Sequence, residues 1–116
     1  CLAAFEAAGR GKAVDGVPVT EIFAGTDGSE AEMLKIADPT SSFKITMALT
    51  PKDHAIASVD TVLGIINGEI DKNNGDKVVK VDDWFVNGWE LEVSELQAFI
   101  EEQYFSEIDI KEELGL

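Results

Sequence analysis

Apolar positions recur along this chain in two periods, one helical and one alternating, and glycine, proline and capping residues mark the breaks between them. Leu2 and Phe5 share one face of a predicted helix over residues 2–8, which Gly9 stops. The β-branched and aromatic residues of 17–24 predict a strand with Pro18 at its entry. Glu21 is awkward in a strand buried on both faces, which argues for a strand that begins later than the pattern suggests. Ser29 with Glu32 makes an S-x-x-E capping box for a short helix from about Glu30, carrying Met33, Leu34 and Ile36 and ended by Asp38-Pro39. Residues 43–49 alternate as a second strand. Thr50 then caps a helix with Pro51 in its first position, Ile56, Val59, Leu63 and Ile66 at helical spacing, and Asn67-Gly68 as its stop. Residues 71–76 read as a polar loop and 78–86 as a third strand. Ser94 with Gln97 predicts a capping box for a helix bearing Leu96, Phe99, Ile100 and Tyr104. The acidic, partly apolar tail at 106–116 carries no assigned element.

Helices and strands alternating in this way, with crossovers long enough for helices, predict an α/β fold: three layers, a mainly parallel sheet with helices on both faces. The stretch that organises it is Phe23-Ala24-Gly25-Thr26-Asp27-Gly28-Ser29-Glu30, a strand, a turn and a helix start with one acid at the carboxyl end of the strand. Ligands of open α/β sheets sit at that edge. Ser29 and Glu32 serve the helix, so Asp27 is free to face a ligand; the competing reading is an Asx-turn residue that only closes the loop.

Composition narrows the partners. With 116 residues the chain is one domain's worth, and 23 acidic against 9 basic residues give a net charge of -14. That balance argues against nucleic acid and anionic membrane, both of which need a basic footprint. No apolar run is long enough to span a membrane. Cys1 is the sole cysteine, which excludes an internal disulfide. A leading cysteine fits the lipid-bearing first residue of a processed lipoprotein, but here a helix follows at once instead of a polar tether. The abrupt start reads as a chain cut at its amino end.

Most catalytic chemistry is missing. There is no Gly-rich phosphate loop, and no His or Cys pair at metal-ligand spacing, so no cofactor or metal is expected. The single histidine, His54, lies in the first turn after Pro51 and reads as a helix-start histidine without catalytic duty. Asp82 and Asp83 are adjacent in an expected strand and would point to opposite faces. Trp84, Phe85 and Trp89 around Asn87-Gly88 suggest a hairpin turn or a chain crossover, and either a stacking platform for sugar rings or packing between lobes.

In serial order the motifs resemble the sugar-binding proteins of ABC transporters, with the ribose-binding, type I periplasmic binding protein fold. Residues 2–10 look like the family's helix ending in Ala-Gly-basic, and Phe23 to Gly28 resembles its strand ending in Gly-x-Asp-Gly, whose aspartate bonds sugar hydroxyls. Residues 44–51 are similar to the following strand and its Thr-x-x-x-x-Pro helix entry, and 62–68 to the closing helix. The resemblance spans about residues 1–86 and implies one incomplete lobe. It assigns 1–77 to a partial ligand-binding lobe, 78–93 to an interlobe crossover, and 94–116 to a C-terminal helix and acidic tail. It places Asp27, Leu49 and Thr50 at the ligand, although Leu49 stands where family members often carry glutamine. The implied function is non-enzymatic: binding a sugar or polyol between two lobes for delivery to a membrane permease. The missing N-terminal lobe is then a partner, and the location is periplasmic, or extracellular on a lipid anchor in a Gram-positive. The alternatives are a ligand-sensing lobe of a LacI-type repressor and an α/β enzyme using Asp27.

Overall fold

The strand expected over 17–24 is divided in the computed structural model, which describes residues 1–73 and 79–116. Asp15 and Gly16 both take positive φ, 49° and 76°, as a two-residue hairpin turn requires. β1 (Ala13–Val14) and β2 (Val17–Pro18) therefore pair antiparallel with each other, and Pro18 belongs to this hairpin instead of the main sheet. The main sheet begins at β3 (Phe23–Gly25), so the strand does start late. Glu21 falls in the link between, where it pairs with the Arg10 guanidinium and accepts the Gly11 amide at 3.2 Å. Ahead of the hairpin, α1 (Leu2–Ala7) sets Phe5 edge-on to Phe23 at 5.1 Å between ring centroids.

From β3 the chain runs through α2 (Glu30–Ala37), β4 (Phe43–Ala48), α3 (Pro51–Ile66), β5 (Trp84–Asn87), α4 (Val93–Tyr104) and α5 (Ile110–Leu114). The sheet has the order β3-β4-β5, a small mixed α/β arrangement flanked by helices. β3 lies parallel to β4 with α2 as the crossover, but β5 runs antiparallel, Ala48 opposite Trp84 and Ile45 opposite Asn87. This corrects the expectation of a mainly parallel sheet. The physical reason is the return path: the Thr50 hydroxyl donates to the Asp82 carbonyl at 3.1 Å, which holds the chain before β5 beside the exit of β4. A strand entering at that end can only run back. The strand expected over 78–86 accordingly begins at Trp84; Val78, and residues 74–76 of the loop expected at 71–76, lie outside the described residues.

The core lies on one face of the sheet, where Met33, Ile36, Ala48, Val86, Leu96, Ile100 and Ile110 are all buried. α5 belongs to it through Ile110, so the tail left unassigned from sequence is structural. The opposite face is open: Met47 and Phe85, paired across β4 and β5, are 42% and 57% exposed. α3 is also uncovered. Its first turn packs against α4, with Lys52 near Glu102 and Asp53 accepting from the Gln103 amide at 3.2 Å. Beyond that turn Ile56, Val59, Val62, Leu63 and Ile66 stay 49–73% exposed. The radius of gyration is 18.1 Å, against about 13 Å for a compact chain of roughly this length. No described helix is long and apolar enough to cross a membrane.

Both capping expectations need adjustment. Ser29 does accept the Glu32 amide, at 3.4 Å, but the Glu32 carboxylate turns away from Ser29. At α4 the box is made by Glu92 and Glu95, with the Glu92 amide donating to Glu95 at 2.8 Å, because the helix begins at Val93 and not after Ser94. Gln97 instead receives the Ile110 amide at 2.9 Å and donates to the Ile108 carbonyl at 2.8 Å, which ties the tail to α4.

Candidate functional site

Because β3 and β4 are parallel and adjacent, the residues just past their carboxyl ends become neighbours. The Leu49 amide donates to the Asp27 carbonyl at 3.1 Å, so Asp27, Leu49 and Thr50 share one edge of the sheet. Gly28, at φ 68°, makes this approach possible: any side chain there would collide with Ala48. Gly25 is required for a related reason, since a Cβ would strike the Glu32 carboxylate and the Phe43 ring.

Glu32 spends its carboxylate inside this turn. It accepts the Gly28 amide at 2.6 Å and the Thr46 hydroxyl at 2.8 Å, linking the start of α2 to the turn and to β4. Asp27 is left free. Its carboxylate accepts no hydrogen bond among the described residues, only its backbone carbonyl is used, and the residue is exposed. The turn is closed by Glu32 and not by an Asx-turn of Asp27.

Tyr104, at the last turn of α4, reaches the same place, its hydroxyl 3.4 Å from the Asp27 carbonyl. Burial, followed by the negative charges of Asp27, Glu32 and Glu30, pushes the phenol's pKa above its ordinary value. Trp84, Phe99 and Tyr104 form a run of rings with centroids 5.0 and 6.2 Å apart beside this edge. From sequence Tyr104 is merely an apolar helix position. No local signal could have placed it 77 residues away on Asp27.

The other expected participants disperse. Thr50 is 7% exposed with its hydroxyl committed to Asp82, so it neither caps α3 by its side chain nor faces outward. Leu49 is 41% exposed beside Asp27. Trp84 packs on Phe99, Phe85 stands on the open sheet face, and Trp89 lies on a cleft formed by different elements, so the aromatics make no common platform. His54 Nε2 is 3.3 Å from Asp83 Oδ1, both partly exposed, while Asp82 contributes its carbonyl to Thr50. No group of three or more His, Cys, Asp or Glu side chains among the described residues is placed to hold a metal ion.

The chemistry available at this edge is hydrogen bonding. An exposed carboxylate accepts from two hydroxyls at once, and each such bond is strengthened by the charge. Comparison of the chain with family models, with curated proteins and with solved structures finds no match to any of the three.

Proposed function

We propose that this chain is part of a solute-binding protein that takes a sugar or polyol between two lobes and delivers it to the permease of an ABC importer. The observation that carries the reading is the uncommitted Asp27 carboxylate at the carboxyl edge of the parallel strands, with Leu49 hydrogen-bonded beside it and the Tyr104 phenol next to it. A sugar hydroxyl both donates and accepts, and a free carboxylate can take the donated protons of two such hydroxyls at once.

In this reading the chain is one lobe, layered on both sides of its sheet. The exposed stripe of α3 and the open face at Met47 and Phe85 support it, because apolar surface of that extent belongs under a further layer. The remaining elements of the lobe and the N-terminal lobe supply that layer, and the protein works outside the cytoplasmic membrane, in a periplasm or lipid-anchored in a Gram-positive.

The test is titration calorimetry of the two-lobe protein against pentoses, hexoses and polyols, with and without Asp27→Ala. The variant is expected to bind about 10- to 150-fold more weakly, the loss of a charged hydrogen bond of about 1.5–3 kcal/mol, at an unchanged melting temperature. Full affinity in the variant, or no binding of any member of the panel, refutes the reading.

A further inference from the structure

At the other end of the strands from Asp27, a cleft of about 320 Å³ opens between the β1–β2 turn, the end of α2 and the start of α4. Its walls are more apolar than polar, with Val17, Ile36, Leu91 and Trp89 among them, and the charged residues lining it are Lys44 and Asp15. That volume is at the lower end of the ~300–1,000 Å³ typical of small-molecule sites, and apolar walls with a few polar groups are their usual composition.

Lys44 projects from β4 and is 3% exposed. Its ammonium donates to the Ile36 carbonyl at 3.1 Å and the Asp38 carbonyl at 2.9 Å, at the end of α2. An ammonium carries three protons, and these bonds use two. Its ion-pairing shell is empty: among the described residues no carboxylate lies within 4.0 Å of Nζ. A buried charge without a counter-charge is costly, and the helix dipole offsets only part of that cost. In a chain with 23 acids, the fold puts a buried cation where, among the described residues, none forms an ion pair with it, Asp38 acting only from beyond ion-pair distance, and where a cleft adjoins it.

We propose that this cleft binds a small monocarboxylate with an apolar or aromatic body, its carboxylate on the Lys44 ammonium and its body against Trp89 and Leu91. Closing α2 would occupy the lysine but does not account for the cleft. Asp15 on the lining opposes a second negative charge, which selects monoanions over dianions. The site shares no residue with the Asp27 edge, so its test is independent of the sugar-binding reading.

The probe is phenylacetate, compared with its neutral analogue phenylacetamide and with phenylmalonate. Binding is read from the Gly88 amide and Trp89 indole resonances in nitrogen-proton spectra. The expected result is saturable shifts with phenylacetate, at least about tenfold weaker binding of the amide and the dianion, and loss of binding in Val17→Trp, which fills the cleft. Val17 is 62% exposed, so that variant keeps its melting temperature. Lys44→Met is expected to lose the preference for the acid over the amide. If Lys44→Met does not fold, the amide comparison and Val17→Trp decide alone. No saturable shift up to about 10 mM phenylacetate, equal binding of acid and amide, or shifts that survive Val17→Trp overturn the proposal.

Discussion

Two carboxylates five residues apart divide the labour at the β3–α2 turn. Glu32 holds the turn together through Gly28 and Thr46, whereas Asp27 contributes only its backbone carbonyl. Glu32→Ala is expected to cost about 1.5–3 kcal/mol, because it leaves the Gly28 amide and Thr46 hydroxyl without their charged acceptor, while Asp27→Ala leaves stability nearly unchanged. Urea denaturation of the two variants side by side distinguishes them. Lys44 gives a second prediction at this scale. Burial lowers its pKa below the ordinary lysine value, with the negative charge of Asp38 opposing. Between the lowered and the ordinary value the unfolded chain holds more protons than the folded one, so this group makes stability rise with pH through that window. Tyr104, with its pKa raised, acts the other way above the ordinary tyrosine value. In a Tyr104→Phe background, urea midpoints measured from neutral to alkaline pH are expected to show the Lys44 rise, and Lys44→Met to abolish it.

Among the elements, α5 and α3 reverse their apparent importance in the sequence. The tail reads as acidic and weakly patterned, yet Asp109 caps α5 by accepting the Lys111 and Glu112 amides at 2.9 and 3.0 Å, and Ile110 is completely buried. Ile110→Ala is expected to cost about 2–5 kcal/mol, as for other fully buried aliphatic truncations. Phe105→Ala, five residues earlier and at a residue 74% exposed, is expected to change stability by less than about 0.5 kcal/mol. Thermal denaturation checks both. α3 shows the opposite mismatch: its apolar spacing is among the clearest in the chain, and its stripe lies bare.

For the whole molecule, the bare stripe and the open sheet face determine its behaviour in solution. The 116-residue chain is expected to bind an apolar dye such as anilinonaphthalene sulfonate, and Val59→Asp with Leu63→Asp to reduce that fluorescence severalfold without loss of secondary structure, since both residues are about half exposed or more. In the two-lobe reading the intact protein binds little dye, because its further elements occupy the same surface. The same reading expects no micromolar affinity of this chain alone for sugars, since half of the clamp is lacking. Calorimetry with the sugar panel on the 116-residue chain tests that directly.

What the sequence determined by itself is local. Gly9 ends α1, Ser29 starts α2, Pro51 opens α3, and the alternation in Phe43–Ala48 makes β4, because each depends on sterics or hydrogen bonds within a few residues. Asp27 at a strand end was legible for the same reason, as was its freedom once Ser29 took over the cap. The tertiary structure decided what depends on distant chain. It reversed β5, because the return path is set by Thr50 on Asp82, 32 residues away. It split the early strand between Pro18 and Phe23, since the hairpin that turns at Asp15-Gly16 takes Val17 and Pro18. It diverted Glu32 and Gln97 from simple capping, because Thr46 and Ile110 present partners that spacing along the chain cannot reveal. It brought Tyr104 to Asp27 across 77 residues, by packing that no helical periodicity specifies.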